Sequence, residues 1–148
     1  QSQWTRRLNE DLLLLLRSDV QLSAGSLVAL EQFRIGGVNS IRGYRQDLSL
    51  GDDGLFASAE LRIPILRFQK FDGLLQVTPF FDVGTVWNTD DLEIANTTLA
   101  SLGLGLNLAL GDKFNARLDW GIPLVDLETK GNSLQEDGIY FFVDYSFF

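Results

Sequence analysis

Arg42 stands in the middle of IGGVNSIRGYRQDLSLGDDG, residues 35–54, a Gly-rich stretch that also places Gly43 and Tyr44 beside it. A guanidinium can hold a carboxylate through two parallel donors, so the first question is which acids it could meet. Acids are plentiful: Asp and Glu total 20 against 12 Lys and Arg, for a net charge of −8. Glu60 and Asp82 are candidates, but from the residues alone Arg42 could equally decorate a solvated loop, with both acids as ordinary polar lining. Cys and His are both absent, which removes disulfides, thiolate and imidazole metal ligands, and the usual Cys/His and Ser/His nucleophile systems. No nucleophile–base pair can be argued, and no carboxylate pair can be set at hydrolase separation, so no enzyme is expected. No basic stripe exists to release counterions, so nucleic acid is not an expected partner. The run LGLGL, residues 102–106, has no helix after it and reads as a thinned wall rather than a phosphate loop. Asp52, Asp53, Asp90 and Asp91 could hold divalent ions near anionic lipid heads, but solvated turns are the plainer reading, and no metal or cofactor is expected.

The elements that must position these groups are strands. In Thr97–Leu110, Thr98, Ala100, Leu102, Leu104, Leu106, Leu108 and Leu110 take one parity, while Ser101, Gly103, Gly105, Asn107 and Ala109 take the other. A period of two over that length cannot give a helix a single apolar stripe. The pattern recurs in windows at about 12–23, 55–65, 74–87, 113–123 and 138–148, leaving a long loop at about 24–54. Glu60 and Asp82 fall on the polar faces of their windows, as do Arg17, Asp19, Arg62, Arg117, Asp119 and Asp144, which read as wetting of a lumen. Strands of roughly 9–11 residues match a bilayer crossed at a tilt, and Trp87, Phe114, Tyr145 and Phe147 near strand ends suit interfacial girdles. Pro79 cannot donate to a ladder and is expected near the membrane rim, with a bulge or a late start to pairing. A soluble β-sandwich would also alternate, with its polar face outward and shorter strands.

Connections alternate between short, as in LGDKF and LRFQKFDG, and long, as in NTDDLEIAN and VDLETKGNSLQEDG. That asymmetry is the one expected of an outer-membrane barrel with its short turns in the periplasm, and it sets Phe148 on the periplasmic side. Six strands do not close a membrane barrel, and open edges in lipid cost several kcal/mol per backbone group. The chain also has no Met, so Gln1 is not expected to be a native start. The expectation is therefore the C-terminal part of a larger barrel, its edges closed by upstream strands or by another copy of the chain.

FRIGGVNSIRGY (33–44), SAELRIPI (58–65), PFFDVGTVW (79–87) and a terminal Phe148 occur in that order. Together they resemble the bacterial surface-antigen superfamily of outer-membrane barrels, which comprises two-partner-secretion transporters and outer-membrane protein insertases, with POTRA domains upstream. The resemblance implies an all-β, transmembrane antiparallel β-barrel, residues 1–148 forming the last six of about sixteen strands. It implies that the long loop turns back into the barrel, where Arg42, with Gly43 and Tyr44, meets Glu60 and Asp82 on the wall. Asp82 sits within Phe80–Gly84, where Gly84 leaves room for close approach. Phe148 resembles the terminal aromatic that barrel-assembly machinery reads, although Tyr145 and Phe147 take the opposite parity.

The function implied is transport of an unfolded exoprotein across a bacterial or organelle outer membrane. An insertase, or a small autonomous structural barrel, are the alternatives. Expected partners are outer-membrane lipid, an unfolded secreted or outer-membrane protein, and the assembly machinery.

Overall fold

A computed structural model describes residues 1–9, 12–89, 96–125, 134 and 137–146. Seven strands form one antiparallel sheet: β1 (Ser2–Arg7), β2 (Leu13–Gln21), β5 (Asp53–Phe68), β6 (Gly73–Trp87), β7 (Thr97–Leu110), β8 (Phe114–Pro123) and β9 (Ile139–Tyr145), each paired with the next. Between β2 and β5 the long loop carries its own small hairpin, β3 (Phe33–Ile35) with β4 (Ser49–Gly51). The helical component among the described residues is a single 3-10 turn, Gln69–Phe71.

Strands form over all six alternating windows, and a seventh, β1, precedes them. That strand was not expected. Its six residues, SQWTRR, are all exposed, so no buried face marks it; it forms because β2 offers an unpaired edge, in register from Ser2↔Ser18 to Arg7↔Leu13. Strand β5 runs 16 residues, β6 15 and β7 14, well beyond the 5–6 usual in soluble domains.

Pro79 corrects another expectation. It lies well inside β6, not at a rim, and pairs with Leu104 of β7. On its other side the β5–β6 ladder passes from Glu60↔Phe80 to Ile63↔Val77 and leaves out Leu61 and Arg62, because proline supplies no N–H there. The bulge in this pair occurs elsewhere, between Pro64 and Leu66.

The faces are inverted relative to a soluble protein. Leu102, Leu104, Leu106, Leu118, Trp120, Ile122, Phe141 and Val143 are exposed, while Ser58, Glu60, Thr78, Asp82, Ser101 and Asp119 are buried. Polar groups thus line one face and leucines coat the other, as in a membrane barrel wall and opposite to a β-sandwich. The sheet does not close: β1 and β9 are its two edges.

The apolar core belongs to the loop. Phe33, Ile35, Ile41 and Tyr44 pack with Phe56, Val86 and Leu99 from the wall, and Leu48 joins from the side. Burying side chains such as Ile35 and Ile41 stabilises the seated loop by about 1.5–3 kcal/mol each. The loop is therefore not irregular chain over a surface; it is a compact plug against the inner faces of β5, β6 and β7.

Candidate functional site

The plug carries Arg42 to the wall. Ile41 enters the apolar cluster just before it, and Gly43 follows at φ +101, a conformation that L side chains rarely adopt. The sharp turn leaves the Arg42 side chain 1% exposed. Its Nε donates to Asp82 Oδ2 at 2.8 Å and its Nη2 to Asp82 Oδ1 at 2.9 Å, a two-pronged grip. Nη1 donates to Glu60 Oε2 at 2.8 Å, and the Arg42 backbone N–H adds a 3.2 Å bond to Asp82 Oδ2. The guanidinium carbon lies 3.4 Å from the centroid of the Phe80 ring, so the cation is held edge-on by acids and face-on by an aromatic.

Strand register explains this convergence. Ser58 lies opposite Asp82, and Glu60 opposite Phe80, so the four inward side chains form a square on two adjacent strands. Ser58 Oγ donates to Asp82 Oδ1 at 2.6 Å and orients it. Gly84 makes room for the loop: a Cβ there would stand 2.9 Å from Ile41 Cδ1. The site brings Arg42, Glu60, Phe80 and Asp82 into direct contact. Gly43 and Tyr44 are seated farther along the wall, and Phe148 lies outside the described residues, as do Asp90, Asp91 and Phe147.

The network is wider than expected. Arg117 donates to Glu60 Oε2 at 2.7 Å and to Asp119 Oδ2 at 2.6 Å, and Arg62 meets Glu60 Oε1 at 3.0 Å. Asp119 stands 3.9 Å from Arg42 Nη1. Three cations and three acids therefore balance, and Arg62, Arg117 and Asp119 are structural members of the cluster rather than wetting of a pore. Asp144 is exposed on the edge strand. Arg17 lies over the Phe56 ring at 6.0 Å, and its buried Nε has no hydrogen-bond partner among the described residues. A cavity of about 820 Å³ opens beside the cluster, lined among others by Leu13, Leu15, Arg17 and Asn39.

Tyr44 and Tyr140 hold the tip beyond the arginine. The Tyr44 hydroxyl shares its one proton between Ala100 O (2.8 Å) and Val125 O (3.0 Å) and accepts from Val125 N–H at 3.1 Å. The Tyr140 hydroxyl accepts from Gly43 N–H at 3.1 Å and donates to Tyr44 O. Sequence reasoning passed over Ser58 and Tyr140, whose one available signal was inward parity.

Asp52 and Asp53 are a correction. Both are buried rather than solvated. Asp52 accepts from Leu27 N–H (2.9 Å), Gln32 Nε2 (3.0 Å) and Thr89 N–H (3.2 Å). Asp53 accepts from Ser23 N–H (2.6 Å) and Thr89 Oγ1 (2.9 Å). They clamp the loop's root to the end of β6. The Leu27 amide, followed by Gln32, holds the Asp52 carboxyl below the usual carboxylate range.

A family model described as haemolysin secretion/activation protein ShlB/FhaC/HecB matches residues 1–108. Among solved structures, CdiB from Escherichia coli is similar over 95% of this chain with a TM-score of 0.77 at 21% identity, which reports a shared fold. The chain spans 25% of the CdiB chain. No curated protein sequence matches it.

Proposed function

The chain belongs to the haemolysin secretion/activation protein family, and from that premise we propose that it forms the C-terminal part of a two-partner-secretion transporter in a bacterial outer membrane. The observation that carries this is the inverted sheet: a neutralised cluster of six charges with a plug-like loop on one face, and exposed leucines on the other. Apolar area on that outer face fits lipid, and a secreted polypeptide would pass through the lumen.

In this reading β1 and β9 are joined by upstream strands, completing a barrel of about sixteen. The substrate is an unfolded exoprotein, the C-terminus lies in the periplasm, and Phe148 is read by barrel-assembly machinery. Arg42, Gly43, Tyr44, Glu60, Phe80, Asp82 and Gly84 anchor the loop within the lumen. No observation favours an insertase over a transporter.

The test is secretion by the full-length protein carrying Arg42→Lys, with barrel assembly followed by heat-modifiable electrophoretic mobility. A point charge cannot reproduce the two-pronged, ring-stacked contact, so secretion should fall about tenfold or more, the equivalent of 1.4 kcal/mol. Assembly should persist. Secretion at the parent level by an assembled mutant would refute the anchor role. A native gene product close to 16.6 kDa, detected with an antibody against residues 120–148, would refute the transporter itself.

A further inference from the structure

The loop tip is bonded to the last hairpin of the sheet in both directions. One tyrosine belongs to the loop and holds the wall. The Tyr44 hydroxyl bonds Val125, where the β8–β9 connection leaves the sheet, and Ala100 on β7. The other belongs to the wall and holds the loop. Tyr140, the buried residue of β9, takes the N–H of Gly43 and gives its proton to the carbonyl of Tyr44. Both tyrosines are buried, and the two bonds of Tyr140 lie wholly in the interior, so losing that hydroxyl leaves Gly43 N–H and Tyr44 O without it in a buried site.

The wall is shaped for this contact. A Cβ on Gly121 would stand 2.5 Å from Gly43 N and 2.7 Å from Arg42 C, so the loop backbone lies directly on β8. Gly121 N–H donates to Gly138 O at 2.8 Å, joining the two ends of the β8–β9 connection at the same point. A Cβ on Gly138 would be 3.2 Å from Gly43 Cα. The rest of β9 depends on its ladder with β8 from Phe114↔Tyr145 to Trp120↔Ile139, and its remaining residues are mostly exposed.

We infer that Tyr44 and Tyr140 form a reciprocal clasp in which Tyr140 is the positioning residue for the loop tip, so that the loop leaves its seat only by releasing the β8–β9 connection. Arg42 fixes the loop to β5 and β6; the clasp carries that hold four strands along the sheet, from β5 to β9. The loop's position and the pairing of the last strand are therefore one equilibrium. This builds on the transporter reading, but the clasp can be tested without secretion.

The chain has no cysteine, so Ile41→Cys, at a residue with no exposed surface, reports whether the loop is seated. The experiment uses the full-length protein in outer membranes, any upstream cysteines replaced by serine, and a membrane-impermeant maleimide. Adding Tyr140→Phe or Tyr44→Phe should accelerate labelling about tenfold while the barrel stays assembled. Unchanged labelling in both assembled variants overturns the clasp. If Tyr140→Phe does not assemble, Gly121→Ala, which displaces the tip without removing a hydroxyl, must accelerate labelling, and an unchanged rate there overturns it equally. Lost secretion with unchanged labelling would leave the transporter reading standing and remove the clasp.

Discussion

The loop is attached at its tip and at its root, and the two attachments rest on different physics. At the tip, a permanently charged guanidinium meets carboxylates in a site that excludes water. At the root, Asp52 and Asp53 collect neutral N–H and O–H donors and, among the described residues, form no ion pair. The tip's cation keeps its charge at any ordinary pH, and the grip is sensitive to the loss of any partner. The root is distributed over many donors and tolerates the loss of one, but its acceptor can be titrated. One attachment hangs on single partners and the other on many.

The largest expected effect breaks the tip. Asp82→Ala removes both prongs of the Arg42 grip and leaves a buried cation with Glu60 at 2.8 Å and Asp119 at 3.9 Å, which should cost about 3–5 kcal/mol. Urea unfolding of the full-length protein in detergent measures it, and a loss below about 1 kcal/mol would mean that water reaches the site and that the contrast with the root is false.

A second perturbation takes the wall out of the comparison. Leu104, 52% exposed on the apolar face, should cost about 2–4 kcal/mol when changed to Arg near the bilayer midplane, whereas Asn107→Arg on the lumen face should cost little. Leu104 faces away from the tip, and Asn107 stands across from Arg117 in the β7–β8 ladder, so equal losses from the two would contradict the assignment of faces.

The smallest effect concerns the root. The Asp52 carboxyl is held below its ordinary value in the folded protein, so ionised Asp52 stabilises the root fully above the unfolded carboxylate pKa, near 3.9. That contribution is lost as pH falls through the lower folded value. Proteolysis between residues 22 and 32 should therefore rise in strong acid, and Asp52→Asn should remove this rise. An unaltered acid profile in that variant would assign the effect to another group.

Much of this wall was legible because alternation is a local property: each window declared its period and its polar face without reference to its neighbours. Glu60 and Asp82 could be assigned to the lumen on parity alone. Which inward residues share a row is different, because it depends on register across connections of uncertain length. Arg117 and Asp119 were therefore placed on the correct face and given no partner. A usable signal lay in Gly105, which faces Asp119 across the β7–β8 pair and makes room for its carboxylate; a glycine in a strand wall points to something bulky beside it. The short strand β1 and the buried root acids carried no such marker, since their state is set by partners distant in sequence.

Pro79 has a consequence for the anchor. It deprives the β5–β6 seam of its rungs at Leu61 and Arg62, immediately beside the level of Glu60 and Phe80. Arg42 bonds Glu60 on one side of that seam and Asp82 on the other. The loop is thus a rivet as well as a passenger: its guanidinium spans the two strands next to the place where the backbone cannot stitch them. With the loop withdrawn, the wall would lose that second tie at the place where its ladder is interrupted.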